Sequence, residues 1–321
     1  MAYESYAEFL DALEKAGELI RVSEPIATEL EITELADREM KKPGGGKALL
    51  IEQPTVNGEV SPMPVAINTM GSVKRMAMAL GAESVDAVAE ELGSLVQAKP
   101  PTGLRDAVAL LGQALGLRHA RPKKVKRGPC KEVIHRFDSP ASRTEPWPSA
   151  PDVNDPSTLT LTPSTLLDLP IMQCWPLDGG RFLTLPCVVT RDPDTGDRNL
   201  GMYRMQVYDD HSTGMHWQLQ KVAARHGRRY YETGERMPVA VFLGGDPVYP
   251  FCATAPMPDG LDEFLLAGYL RRKSVEMVQC ETCNLEVPAN ADIVIEGYVD
   301  PIEPLRDEGP FGDHTGYYTL P

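Results

Sequence analysis

The chain has 321 residues, a length for about two domains. Apolar residues make up 42% and charged residues 24%, which allows a sizeable core and excludes global disorder; no run reaches the ~18 apolar residues of a membrane span. The net charge of −14 argues against a phosphate-backbone partner, yet leaves room for a small anion in a locally positive or metal-containing pocket.

Six cysteines lie between Cys130 and Cys283, too sparse for a disulfide framework, so buried free thiols are expected. The first residues, MAYESYAEFL, lack a basic-then-apolar pattern, so no secretory signal is read and cytoplasm is the default compartment.

In chain order, Ser5-Tyr6-Ala7-Glu8 fits a capping box. Phe9, Leu10, Leu13 and Ala16 follow at helical spacing, and Gly17 ends the run. Leu19–Val22 reads as a strand and 30–41 as a helix. Gly44-Gly45-Gly46 is expected to be a mobile turn, not a phosphate cradle, because no Lys-Ser or Lys-Thr follows it. Strands are predicted at Ala48–Glu52 and Val65–Ile67, and helices at 72–80, 84–97 and 104–116. This alternation predicts a small α/β domain over 1–120.

Residues 120–128 hold five Lys or Arg and read as a solvated linker. Nine prolines between Ser139 and Pro186 predict an extended surface segment. Phe182–Arg191, the turn Asp192-Pro-Asp-Thr-Gly-Asp-Arg198 and Asn199–Asp209 predict a β-hairpin. A helix is predicted at 215–226, strands at Pro238–Leu243 and Ile293–Val299, and a helix at Leu261–Arg271. Residues 121–321 thus read as a β-rich domain with inserted helices, closed into a barrel to cover its strand edges. The fold class is α+β.

Glu308-Gly-Pro-Phe-Gly-Asp313 places two carboxylates around a core that cannot be helical. Two acids in one pocket repel, so one would hold its proton near neutrality and act as a general acid. The same pattern also describes an ordinary acidic surface turn. In Asn199-Leu-Gly-Met-Tyr-Arg204, an Arg within an apolar strand needs an anion, unless it emerges into solvent at the strand end. A regular strand puts Asn199 and Arg204 on opposite faces, so bringing them together requires a bulge near Gly201. His211 and His216 have poor spacing for a metal pair. Cys280-Glu-Thr-Cys283 lacks the second pair of a structural zinc site, so its thiols are read as packing.

Together these pieces resemble the UbiD family of prenylated-FMN-dependent decarboxylases. The matching segments are Ile67-Asn-Thr-Met-Gly-Ser72, Thr190 through Arg204, Thr213-Gly-Met-His-Trp-Gln218, Cys280-Glu-Thr with Val287-Pro-Ala-Asn-Ala-Asp292, and Glu308-Gly-Pro-Phe-Gly-Asp-His-Thr-Gly-Tyr-Tyr318. The resemblance implies an N-terminal α/β domain followed by a split β-barrel that binds the flavin. It implies a catalytic trio of Arg204, Glu308 and Asp313, and cofactor contacts from Asn199, Met202, Arg204, Gln220, Pro256 and Glu263. The family's metal, typically manganese, with magnesium as an alternative and potassium as a further cation, would fall to Asn199, Glu263 and position 220. Here Met215-His-Trp-Gln-Leu-Gln-Lys221 carries Gln220 where the family has His, a neutral and weaker donor for manganese.

Family members usually continue beyond the Gly-Tyr-Tyr motif into a C-terminal domain that contributes to oligomerisation, so a homo-oligomer is expected if the full protein has one. The implied activity is reversible, non-oxidative decarboxylation of an aromatic, heteroaromatic or α,β-unsaturated acid. The alternatives are a split-barrel flavin oxidoreductase and a non-catalytic or incomplete subunit of the same family.

Overall fold

The structure is a computed structural model that describes residues 2–96, 117–135 and 165–319. The helix predicted at 104–116, and the proline-rich segment as far as residue 164, lie outside the described residues.

Helix α1 (Tyr6–Lys15) starts where Ser5 Oγ accepts the Glu8 amide at 3.1 Å. Glu8 reaches back to the Glu4 amide, one residue earlier than a capping box requires. Phe9 and Leu13 are fully buried on the helix's inner face. Strand β1 (Leu19–Ala27) pairs in parallel with β2 (Ala48–Val56), with helix α2 (Glu31–Met40) between them in sequence. Strands β3 (Glu59–Val60) and β4 (Val65–Ile67) add antiparallel to β2, and α3 (Val73–Ala79) and α4 (Val85–Val96) follow. The α/β expectation for this part is met.

The glycine turn at 44–46 differs from its expected mobility. Gly45 and Gly46 carbonyls accept from the fully buried Arg75, and Asn68 Nδ2 also donates to Gly45 at 3.0 Å. The turn satisfies a buried guanidinium, an obligation its sequence does not display.

The basic run also differs from a linker. Within it, β5 (Lys123–Lys124) pairs in parallel with β12 (Glu276–Gln279).

The predicted long strands are each broken. Pro186 lies in the gap between β6 (Phe182–Leu183) and β7 (Cys187–Arg191). The returning arm divides into β8 (Arg198–Met202) and β9 (Met205–Val207), followed by β10 (Thr213–Met215). The 215–226 helix forms later, as α5 (Val222–Thr233). Then come β11 (Met237–Leu243), α6 (Val248–Thr254) and α7 (Glu263–Arg271). After β12, the chain completes β13 (Glu286–Pro288), β14 (Ile293–Val299), β15 (Phe311–Gly312) and β16 (Tyr318–Thr319).

The central antiparallel sheet has the order β14-β11-β7-β8, and a second sheet has the order β10-β9-β6. Strand alternation in the central sheet serves two interiors. Val188, Val239 and Val241 face a core shared with Leu183 and Met205 of the second sheet. Cys187, Val189, Ala240 and Phe242 face a core built with α6, α7, β12 and β13. The barrel is therefore split: its strands lie in separate sheets around shared apolar interiors.

Candidate functional site

Strand β8 keeps an unbroken register with β7, Thr190 to Asn199 and Val188 to Gly201, so no bulge at Gly201 brings Asn199 and Arg204 together. The chain instead leaves the central sheet after Met202 and enters the second at Met205. Arg204 lies in that gap. Its Nε and Nη2 donate to the two carboxylate oxygens of Glu308 at 2.8 and 2.9 Å. The two side chains are 13% and 9% exposed, so the pair is charge-assisted, bidentate and largely dry. His216 joins it, with Nδ1 2.9 Å from Glu308 and 3.4 Å from Arg204 Nη2. The guanidinium carbon lies 4.5 Å from the centre of the Phe311 ring.

The acidic turn is pinned from both sides. Gly309 N–H donates to Gln206 Oε1 at 2.7 Å, and Gln206 Nε2 donates to the Gly179 carbonyl at 2.8 Å. Gly179 N–H in turn donates to the Pro310 carbonyl at 2.7 Å. A Cβ on Gly179 would fall 2.3 Å from the Gly309 carbonyl oxygen, so only glycine permits this approach. Asp313 Oδ1 accepts from the amide and from Nδ1 of His314, both at 2.7 Å. Burial pushes the Asp313 carboxyl up, but the hydrogen bonds from His314, with the His314 and Arg204 charges, outweigh it and hold the group below the usual carboxylate range. The expectation of an acid that keeps its proton near neutrality is therefore not met at Asp313.

A second cluster lies at the other end of the same arm. Asn199 and Glu263, the first residue of α7, both line a cavity of about 210 Å³. Arg198, Arg225, Arg229 and His226 line it together with Asp192, Asp197 and Asp259, and each arginine is already paired: Arg225 with Asp259, Arg229 with Asp192, and Arg198 with Asp262 and Glu286. Glu263 Oε2 accepts the Leu200 amide at 2.8 Å, while burial raises its carboxyl to about 7.

A desolvated carboxylate beside an amide oxygen is a hard donor pair that suits manganese or magnesium, and the paired arginines at the rim could exchange a carboxylate partner for a phosphate. Two of the three predicted ligands thus fit a metal and a flavin phosphate. Gln220 does not join them: it is exposed, and its amide donates to Gln218 at 3.3 Å. Met202 packs against the α6–α7 core, and Pro256 is exposed at the start of the segment whose Met257 and Pro258 rim the cavity.

The imidazole in this cavity is that of His226, which sequence reasoning missed. It is buried on α5, with Nδ1 3.0 Å from Thr190 Oγ1, and Asn199 Nδ2 lies 3.3 Å from the same hydroxyl. The predicted hairpin, with its turn at 192–198, sets Asn199 opposite Arg191, whereas the structure pairs Asn199 with Thr190 and Arg198 with Arg191, one residue over. His226, reached through α5, had no sequence signal. His211 and His216 separate as expected: His211 pairs with Asp210 in an exposed turn, far from the role of His216.

Two predictions arise here. A carboxyl raised by folding binds its proton more tightly folded than unfolded. The ligand-free chain should therefore lose stability as pH rises from the ordinary carboxylate value through about 7, by on the order of 3 kcal/mol. Denaturant titrations at pH 5 and pH 8 should show this slope in the parent and its loss in Glu263→Gln.

The second concerns Tyr203, whose ring folds back over Gly201 so that its hydroxyl accepts from Ala223 N at 3.3 Å and from Asn199 Nδ2 at 3.4 Å. A Cβ on Gly201 would lie 2.4 Å from that hydroxyl. Gly201→Ala should cost about 1–3 kcal/mol by overpacking, read as a lower denaturant midpoint.

Residues 151–321 match the 3-octaprenyl-4-hydroxybenzoate carboxy-lyase Rift-related domain of the UbiD family, and residues 10–96 match its N-terminal domain. An uncharacterized protein of Archaeoglobus fulgidus is 42% identical over 322 residues, covering all of this chain and 60% of that protein. The chain thus spans about 60% of the length of that curated relative. Among solved structures, the UbiD-class enzyme HmfF of Pelotomaculum thermopropionicum in complex with FMN is 26% identical, with a TM-score of 0.75 over 98% of this chain and 59% of that one. An evolved dimeric form of the same enzyme in complex with prFMN is 25% identical, with a TM-score of 0.73 over 99% of this chain and 62% of that one.

Proposed function

The chain belongs to the UbiD family, and on that footing we propose that it is the catalytic part of a prenylated-FMN-dependent decarboxylase. Its substrate class is an aromatic, heteroaromatic or α,β-unsaturated carboxylic acid, and its metal is manganese or magnesium. The observation that carries this reading is the bidentate pair of Arg204 and Glu308, with Asp313 on the same pinned turn. FMN and prFMN in the HmfF structures support the cofactor.

Asn199 and Glu263 would hold the metal, whose charge would offset the flavin phosphate, while Arg198, Arg225 and Arg229 would contribute only by giving up carboxylate partners they hold now. When bound, the modified flavin supplies an electron sink for the carbon that loses carbon dioxide. Glu308 takes the Nε and Nη2 donors of Arg204, which leaves the Nη1 edge to hold a substrate carboxylate. Phe311, stacked against the guanidinium and 4.7 Å from Phe182, excludes water from that edge. Asp313 delivers the proton to the vacated carbon. It starts ionised, and covering it with an aromatic ligand would desolvate it and raise its proton affinity. His314, 90% exposed, links it to solvent protons.

The test is expression with the prenylated cofactor supplied, followed by a screen of aromatic and acrylic acids for carbon dioxide release or carboxylation. Acid-dependent release by loaded protein supports the reading. NADH-driven reduction of free flavin with no release from any acid would replace it with the oxidoreductase alternative.

A further inference from the structure

From sequence the Cys280–Cys283 motif reads as packing, but the structure gives it a third partner. The motif forms the turn between β12 and β13, and Cys280 is buried while Cys283 is half-buried. Glu296 reaches this turn from β14, a strand of the central sheet. The two sulfurs and a Glu296 carboxylate oxygen all lie within 4.8 Å of one another.

The turn is built rather than loose. Glu296 Oε1 accepts the Glu281 amide at 2.8 Å, and Oε2 accepts the Thr282 amide and hydroxyl, both at 2.6 Å. Gln279 Nε2 donates to the Cys283 and Leu285 carbonyls, each at 2.9 Å. Lys131 ties the turn to the preceding segment through Glu281 at 2.5 Å.

We propose that Cys280, Cys283 and Glu296 form a site for a thiophilic divalent cation, zinc being the natural occupant, with the fourth tetrahedral position left to solvent. Two thiolates and one carboxylate at a mutual spacing under 4.8 Å match the ligand types and the open three-residue set of zinc chemistry. Binding converts two thiols to thiolates and releases their protons to solvent, so affinity falls in acid. The cation would join the β12–β13 hairpin to β14. That hairpin carries Glu286, which binds Arg191 at 2.5 Å and the cavity-lining Arg198 at 3.2 Å. The site thus braces the cavity wall at Arg198, through Glu286, without belonging to the cavity.

The test is titration of the reduced, untagged full chain with Co²⁺, a spectroscopic stand-in for zinc. The expected result is one equivalent bound with thiolate-to-cobalt charge-transfer and tetrahedral d–d bands, both bleached by Zn²⁺. Those bands report sulfur ligation and do not arise at Asn199 and Glu263. Cys283→Ser should abolish the charge-transfer band seen in the parent. Glu296→Gln, which keeps both thiols, should weaken Co²⁺ roughly tenfold or more. Zn²⁺ should raise the melting temperature of the parent and leave that of Cys283→Ser in place. Absence of the charge-transfer band in the reduced parent, its persistence in Cys283→Ser, or unchanged affinity in Glu296→Gln would each overturn the proposal. So would loss of both thiols to an internal disulfide in air with no metal uptake by the reduced form.

Discussion

Arg204→Ala is expected to reduce decarboxylation by at least about 10²–10³-fold, the loss typical of removing one well-placed donor to developing charge. It should also destabilise the chain by roughly 3–5 kcal/mol, because Glu308 would remain buried without its counter-charge. The double variant Arg204→Ala/Glu308→Gln separates these effects. Neutralising Glu308 should recover most of the stability and none of the activity. Arg204→Lys keeps a charge but not the fork that serves two carboxylate oxygens at once, so it should fall between the parent and the alanine variant. Turnover of cofactor-loaded protein, with denaturant midpoints measured in parallel, decides the matter. A loaded Arg204→Ala that works at the parent rate would refute the assignment.

Asp313→Asn is expected to cost about 10²–10⁴ in turnover, the usual worth of a positioned proton donor. The amide is nearly isosteric and still accepts from His314, so the fold should persist. The stability comparison has a definite sign. A carboxyl depressed by folding contributes its stabilisation above the ordinary value of about 3.9 and loses it as pH falls towards the folded value. The parent should therefore exceed Asp313→Asn in stability at pH 7, and the gap should narrow in acid. An asparagine variant that exchanges the substrate-derived proton with solvent deuterium as fast as the parent would move the proton to another group.

Much of the fold was legible because it rests on local patterns. The Ser5 cap, the apolar stripe through Phe9 and Leu13, and the paired arms around Asp192–Arg198 follow from spacing alone. What escaped was set by distant partners. Nothing near Gly44–Gly46 announces that Arg75, about thirty residues on, will occupy their carbonyls. Nothing near Lys123 announces a parallel partner at Glu276.

The site divides the same way. Arg204, Glu308 and Asp313 came together as a trio only through the family resemblance, their patterns alone fitting a surface turn and a strand-end Arg, and Arg204 does meet Glu308. Asn199 and Arg204 are not brought together: β8 carries no bulge, and the strand changes sheets where Tyr203 turns back over Gly201. His226 and Glu296 were invisible because each reaches its cluster from a separate element, α5 in one case and β14 in the other.

The passage of one short arm from the central sheet to the second has a bearing on how the protein could diversify. Asn199 and Arg204 are fastened to opposite ends of a five-residue span, at most about 17 Å of extended chain. Under the proposed function, the cofactor's phosphate end and the substrate's carboxylate are therefore set apart by one short spacer. Novel substrates cannot be accommodated by lengthening that spacer without uncoupling the two ends. Variation in what is accepted must come from the walls around it, which leaves the spacer itself as the least negotiable stretch of the molecule.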